Sequence, residues 1–441
     1  MGPRQLNPPP GMKILLVNKF HYLRGGSETY YFGLADLLRQ AGHEVACFAM
    51  QDARNLPCPQ SSYFVSNIDY RTPARSGLRQ LKAGAALFYS WEARRQFEKL
   101  LLHFRPDVIH LGLVHRQITF SILDAARPFN IPVVFSLHDL AWLCPCYTML
   151  SNGVPCQRCL HGSLWNCVRG RCVQGSFAKS ALGAMEGAFN RMRRYANRID
   201  LFIAQCQRYK QLHLEGGFPE ESIAVIPNFL PFDVLPTPHA PVAPSSPYLL
   251  YFGRLSPEKG LLRLLQAYAS LGPAAMPLHL DGQGPMHSAL VQHIQDLHLQ
   301  DRVHLRWSAN RDELQTELRQ CHAVVLPSEW EENAPYSLIE AMTLGIPTLA
   351  TRTGGFPEFI RDNQTGFLCD VGSTPALALA LQRLCALSPE EYARISIAAR
   401  TSALRQFSRE TFIRTLTQQY ERLRQRKGPT SFPAPTSARI C

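Results

Sequence analysis

Short apolar runs alternate with stretches of helical spacing along most of the chain. Residues 14–18 form the first such run, Gly25-Gly26 breaks it, and 27–41 space Tyr30, Tyr31, Leu34, Leu37 and Leu38 by three or four, as one buried helix face requires. Gly42 closes that helix. Runs at 45–49, 108–111, 133–137, 201–204 and 224–226 predict further strands. After a proline-rich stretch at 229–247, which can hold neither ladder nor helix, the alternation restarts. Strands are predicted at 248–252, 278–280, 303–305, 323–326 and 348–350, with helices at 261–270, 286–297, 312–320 and 336–344. A basic amphipathic pattern at 409–424 predicts the last helix. Strands alternating with helices imply parallel sheets covered on both faces. The fold class is therefore α/β, with two doubly wound units facing a central cleft.

A length of 441 residues with 46% hydrophobic positions suits two domains with ample cores. The predicted division is 12–228, a linker at 229–247, a second domain at 248–406, a helix at 407–425 and an unstructured tail at 426–441. No run approaches the roughly 18 uncharged apolar residues of a membrane span. The start lacks a basic region followed by an apolar core, so a cytoplasmic protein is expected. The net charge of +12 favours a polyanionic or anionic-lipid partner. Basic residues gather at Arg71, Arg75, Arg79, Lys82, Arg94 and Arg95, and again at Arg191, Arg193, Arg194 and Arg198. No nucleic-acid module is present, so a membrane surface or phosphate-bearing partner is the reading of these groups, with a solvated basic face as the plain alternative.

Candidate chemistry sits at predicted strand ends, where doubly wound sheets bind ligands. The strand 248–252 delivers Gly253 and Arg254, and Lys259 follows where the next helix begins. A planar fork and a point charge together suit a diphosphate. The strand 323–326 leads into a loop with Glu332 and a helix with Glu340, seven residues between them. Paired carboxylates accept the hydroxyls of vicinal diols. Gly354-Gly355 reads as a turn that lets backbone approach a ligand and opens a helix toward an anion, with Glu358 one turn in as a cap or hydroxyl acceptor. Gly282 and Gly284 form a similar turn. In the first half, Gly25-Gly26 opens a helix, and His138-Asp139 ends a strand where an imidazole can take a proton or bind a hydroxyl.

These residues resemble the retaining GT-B glycosyltransferases of glycosyltransferase family four (glycosyl transferases group 1). The matching text is GGSE at 25–28, HD at 138–139, FGRLSPEKG at 252–260, DGQGP at 281–285, SEWEENAPYSLIEAMTLGIP at 328–347, TGGFPEFI at 353–360 and NQTGFL at 363–368. The resemblance implies a sugar moved from a nucleoside-diphosphate sugar to a saccharide or lipid-linked cell-envelope acceptor, with retention and without a catalytic metal. It implies that Arg254 and Lys259 hold the donor diphosphate, Glu332 the transferred sugar and Glu340 the ribose. Backbone at Asn333, Ala334, Pro335 and Tyr336 would help at sugar and phosphate, Gly25 and Gly26 would approach the diphosphate, and His138 would line the sugar site. It also implies that the last helix crosses back to the first domain.

Two departures from the family pattern stand out. Leu305-Arg306-Trp307-Ser308 replaces a glycine-containing turn, which leaves base recognition open. An insertion after His138-Asp139 carries Cys144, Cys146, Cys156, Cys159, Cys167 and Cys172. The last four have ligand-like spacing and could hold a structural zinc; reduced thiols or a disulfide pair in an acceptor loop is the alternative. The pattern at 177–199 interleaves Ala184, Phe189, Met192 and Tyr195 with basic residues, readable as a membrane-surface helix or as a domain helix with one apolar face. Rival functions are a GT-B epimerase, a phosphorylase, for which no pyridoxal-lysine signature is present, or a non-catalytic sugar-nucleotide binder.

Overall fold

The computed structural model describes residues 11–67, 86–230, 247–273, 275–308 and 310–433. The basic positions Arg71, Arg75, Arg79 and Lys82, and nearly all of the proline-rich stretch, lie outside the described residues.

The first half contributes β1 (Lys13–Val17), β2 (Glu44–Phe48), β3 (Val108–Leu111), β4 (Val133–Ser136), a short hairpin β5 (Leu150–Ser151) and β6 (Val154–Pro155), β7 (Leu201–Ala204) and β8 (Ile223–Val225). The second half contributes β9 (Leu249–Phe252), β10 (Leu278–Asp281), β11 (Val303–Arg306), β12 (Ala323–Leu326), β13 (Thr348–Thr351) and β14 (Phe367–Cys369). Two six-stranded sheets result, ordered β2-β1-β3-β4-β7-β8 and β11-β10-β9-β12-β13-β14, and every pairing within them is parallel. Central strands such as β3, β4, β9 and β12 are buried at every position, as helices on both faces demand.

The structure adds elements in both halves that the sequence patterning does not predict, among them the helices Trp91–Phe104 and Gln207–Glu215 in the first. The strand β14 and the helices Thr374–Cys385 and Pro389–Gln406 follow the last predicted strand. The second of these helices starts with a reciprocal Ser388–Glu391 capping box, a signal available in the sequence.

The last helix, Arg409–Lys427, lies on the first sheet. Its Tyr420 hydroxyl is 2.5 Å from His110 Nδ1, Arg424 pairs with Asp107 at 3.0 Å, and Lys427 pairs with Asp200 at 2.8 Å. The tail expected to be unstructured from Arg426 is in part packed: the helix continues to Lys427, and the Phe432 ring stacks on Phe129 at 5.0 Å. Proline and serine enrichment hid that single aromatic anchor.

Candidate active site

The second sheet reverses its strand order between β9 and β12, and the two carboxyl ends open side by side. Backbone N–H groups of Gly253 and Leu255 donate to the carbonyls of Asp281 and Gln283 at 3.0 and 2.9 Å, so the loop after β10 holds the loop carrying Arg254. The glycines of 281–285 thus permit loop-on-loop packing: a Cβ on Gly282 or Gly284 would stand 1.8 or 2.1 Å from the Gly253 or Leu255 carbonyl oxygen. Asp281 in turn accepts from the Ser308 N–H at 2.9 Å and from its hydroxyl. That fixes the segment standing where the family pattern has a glycine turn, and leaves Trp307 exposed.

Lys259 ends a short turn against Gly260, whose φ is +68°. A Cβ on Gly260 would stand 2.1 Å from the Pro327 carbonyl oxygen, so glycine lets the turn press on the end of β12. That contact delivers Lys259 Nζ to 2.5 Å from Glu332 Oε1, which also accepts from Ser328 Oγ at 2.6 Å. Glu332 is 3% exposed. Arg254 does not reach Glu332. Its Nη2 lies 2.5 Å from Glu258 Oε1, and about half of its side chain, 52%, remains exposed. Glu258, also bound by the Ser256 hydroxyl at 2.7 Å, is a partner the sequence reading missed.

Glu340 sits in the helix Tyr336–Leu344, with Arg311 3.8 Å from its Oε1. Burial pushes this carboxyl up to about 7 against the pull of Arg311. Its Oε2 and the neighbouring Tyr336 hydroxyl are buried without hydrogen-bond partners among the described residues. No side chain caps this helix behind Pro335, and none caps Gly26–Gln40 behind Gly25 in the other domain. The two starts face each other: a Cβ on Gly26 would be 3.7 Å from the Tyr336 ring. Two uncapped helix N-termini from different sheets therefore converge, each with unpaired N–H groups and a positive dipole end.

His138 follows β4 and meets the Tyr30 ring edge-on at 4.7 Å. Burial lowers its pKa to about 4, so the ring is neutral near pH 7. Its carbonyl accepts from Asn333 Nδ2 at 3.3 Å, and the Ala334 carbonyl accepts from Asn228 Nδ2 at 2.7 Å. The segment from Asn333 to Pro335 is thereby tied to the first domain. Glu28, buried beside the Gly25-Gly26 turn, accepts from Asn18 and Ser27 at 3.3 and 3.0 Å. Lys19, at the end of β1, has its pKa lowered by burial, with Asp139 and Glu28 pulling the other way. Neither Asn18 nor Lys19 was singled out from sequence, because both sit at the end of an apolar strand without a motif of their own.

The Gly354-Gly355 turn packs against Glu332. Gly354 has φ +56°, and a Cβ there would be 2.1 Å from the Glu332 carbonyl oxygen; the Gly355 N–H donates to that same oxygen at 2.7 Å. The turn buttresses Glu332, and the helix after it, Phe356–Phe359, has only four residues. Glu358 caps a helix, but in the other domain: its two oxygens accept from the backbone N–H groups of Gln207 and Arg208, each at 2.7 Å. Arg208 pairs with Glu331 at 2.7 Å, adding a further link between domains.

The zinc expectation for Cys156, Cys159, Cys167 and Cys172 finds no support. Among the described residues no group of three or more Cys, His, Asp or Glu side chains is arranged to hold a metal. Cys156 accepts instead from Arg158 Nε at 3.3 Å, Cys172 lies 3.6 Å from the Ser151 hydroxyl, and Cys144 and Cys146 lie 3.3 Å apart. Sequence spacing sets which thiols are near, not where their lone pairs aim. The twelve cysteines among the described residues are all free thiols. The segment at 177–199 resolves into the helix Phe177–Met192, with Ala184 and Tyr195 buried and Phe177, Met185 and Met192 exposed. No helix among the described residues is long and apolar enough to cross a membrane.

Two family models match in tandem: Glycosyltransferase Family 4 over residues 24–234 and Glycosyl transferases group 1 over 239–402. Among curated relatives, the N-acetyl-alpha-D-glucosaminyl L-malate synthase of Bacillus anthracis is 32% identical over 174 residues, 39% of this chain and 44% of the relative. The amylovoran biosynthesis glycosyltransferase AmsK of Erwinia amylovora is 29% identical over 182 residues, 40% of this chain and 44% of the relative. The matched segments thus span less than half the length of either relative. Among solved structures, Anabaena HepE in complex with UDP and glucose superposes with a TM-score of 0.65 at 20% identity, covering 93% of this chain and all of that one. That likeness shows a shared GT-B fold.

Proposed function

This chain belongs to the family four, group 1 glycosyltransferases, and from that premise we propose that it moves a sugar, with retention, from a nucleoside-diphosphate sugar to a saccharide or lipid-linked cell-envelope acceptor. The observation that carries this reading is the convergence of two uncapped helix N-termini near the Lys259–Glu332 pair, with the unpartnered Glu340 Oε2 and Tyr336 hydroxyl in the same helix as one of them. An anion fits the two N-termini, and a diol fits the two unpartnered oxygens.

In this reading residues 12–228 hold the acceptor and 248–406 the donor. Lys259 and Arg254 take the diphosphate, Gly25 and Gly26 close on it from the other side, and Glu340 takes the ribose. Glu332, held in place by Lys259 and Ser328, receives hydroxyls of the sugar, with Asn333 to Tyr336 and His138 lining the site. The acceptor hydroxyl attacks the anomeric carbon from the face the diphosphate leaves. The carbon–oxygen bond to phosphate breaks, and the hydroxyl proton passes to the departing phosphate oxygen. Fixed cations and helix dipoles meet the charge that develops there, so no catalytic metal is called for. The named role of AmsK in amylovoran biosynthesis supports a polysaccharide-type acceptor. A cytoplasmic site of action, with the exposed Phe177, Met185 and Met192 touching an anionic membrane, fits a lipid-linked acceptor.

The test is release of nucleoside diphosphate from a panel of nucleoside-diphosphate sugars. At least one donor is expected to be hydrolysed or transferred, with turnover at least about tenfold lower in Lys259→Ala, a loss near 1.4 kcal/mol. No release from any donor, or full turnover in that variant, would overturn the assignment.

A further inference from the structure

A second concave site lies at the far end of the first sheet. β4 starts beside it at Val133 and ends at the cleft near His138, so the two sites are separated by roughly 15 Å of strand. The pocket has a volume of about 480 Å³, and its lining includes Arg127, Arg193, Arg194, Arg198, Asn197 and Lys427.

Its charges divide into two kinds. Three are braced by carboxylates: Arg193 Nη2 is 2.7 Å from Asp124, Arg198 Nη1 meets the other Asp124 oxygen, and Lys427 pairs with Asp200 at 2.8 Å. The Tyr195 ring supports both arginines, with guanidinium-to-centroid distances of 5.6 and 4.9 Å. Arg193 Nε is nevertheless buried without an acceptor. The other two, Arg127 and Arg194, have no side-chain hydrogen bond, ion pair or ring contact among the described residues. Five cations line one concavity with one carboxylate, Asp200, while Asp124, which pairs with Arg193 and Arg198, is outside the lining; the surplus comes from guanidinium groups, whose fork matches phosphate oxygens. A merely solvated basic face has no need of a concave wall, of pre-positioned arginines or of a desolvated donor without an acceptor.

We infer that this pocket is a phosphate-binding site, separate from the donor cleft, in which Arg127 and Arg194 contact the anion and the braced Arg193 and Arg198 form its floor. The phosphate could belong to a lipid headgroup or to a free phosphate ester, and the exposed Met192, at the end of the helix leading to the pocket, is placed to touch a bilayer in the first case.

Two arms distinguish these sources: sedimentation with phosphatidylcholine vesicles carrying phosphatidic acid, and calorimetric titration with inorganic phosphate. Both use the full chain, as wild type, as Arg127→Ala/Arg194→Ala and as Lys259→Ala. The paired variant removes two exposed groups that hold nothing else, so its thermal unfolding should match wild type. Binding at least about tenfold weaker in the paired variant and unchanged in Lys259→Ala supports the site, with the affected arm naming the source. Binding in neither arm, binding unaffected by the paired variant, or phosphate binding lost in Lys259→Ala instead would overturn it.

Discussion

Lys259 Nζ and Glu332 Oε1 stand 2.5 Å apart, with side chains 19% and 4% exposed, one from each side of the strand-order reversal in the second sheet. Breaking a buried pair from one side leaves the other charge uncompensated. Lys259→Ala is therefore expected to cost about 3 kcal/mol of stability as well as turnover. Lys259→Met combined with Glu332→Gln should recover most of the stability in denaturant unfolding while turnover stays low. Recovery of both would show that the pair acts only as a structural tie.

Glu340 gives the site a pH dependence. Its folded pKa of about 7 lies above the ordinary 4.5, chiefly through burial. Between those values the folded state keeps a proton that the unfolded chain has lost. Stability is thus fully present below the lower value, falls as pH rises through this window and levels off above the upper one. Glu340→Gln should flatten that slope. A ribose diol needs two acceptors, so nucleoside diphosphate affinity should rise as pH passes through about 7 in wild type and stay level in Glu340→Gln. Matching pH profiles for wild type and variant would remove Glu340 from ribose binding.

Glu358 caps the helix Gln207–Glu215 from the opposite domain, with both carboxylate oxygens on backbone N–H groups. Removing an N-cap costs on the order of 1 kcal/mol, and here the cap also ties two domains. Glu358→Ala should lower stability by about that amount and weaken donor binding without touching the donor. Donor affinity equal to wild type would confine Glu358 to a local cap.

The Tyr420 hydroxyl and Ser136 Oγ occupy both nitrogens of the His110 ring, at 2.5 and 2.8 Å. Burial lowers this ring's pKa to about 3, so it stays neutral through the physiological range. Tyr420→Phe leaves His110 Nδ1 without a partner in a dry core. A loss of about 1–3 kcal/mol is expected, with no change in its size between pH 6 and pH 8. A pH-dependent loss would mean that His110 titrates in that interval.

Sequence patterning exposed most of the scaffold because fully buried parallel strands are short apolar runs bounded by turns, as in β4 and β12. It located Lys259 and Glu332 because their loops carry a dense run of motif residues. It does not reveal Glu258 as the partner of Arg254, since Glu258 lies four residues away on the same loop and looks like any first-turn acid. The packing role of Gly354-Gly355 is hidden for a related reason: a glycine needed for tight packing against Glu332 has the same letter as one that admits a ligand. The role of Glu358 depends on a helix about 150 residues earlier in the chain, a relation that local spacing cannot encode. The cysteines of the insertion are close in space, as their spacing suggested, yet their sulfurs pair with Arg158, Ser151 and one another.

The decisive measurement is calorimetric titration of uridine, guanosine and adenosine diphosphates into wild type and into Arg254→Ala/Lys259→Ala. Wild type should bind at least one of them, and the paired variant should bind that one at least about a hundredfold more weakly, near 2.8 kcal/mol for two charge-assisted contacts. Equal affinity in the two proteins, or no binding by wild type, would contradict a donor diphosphate held between Arg254 and Lys259.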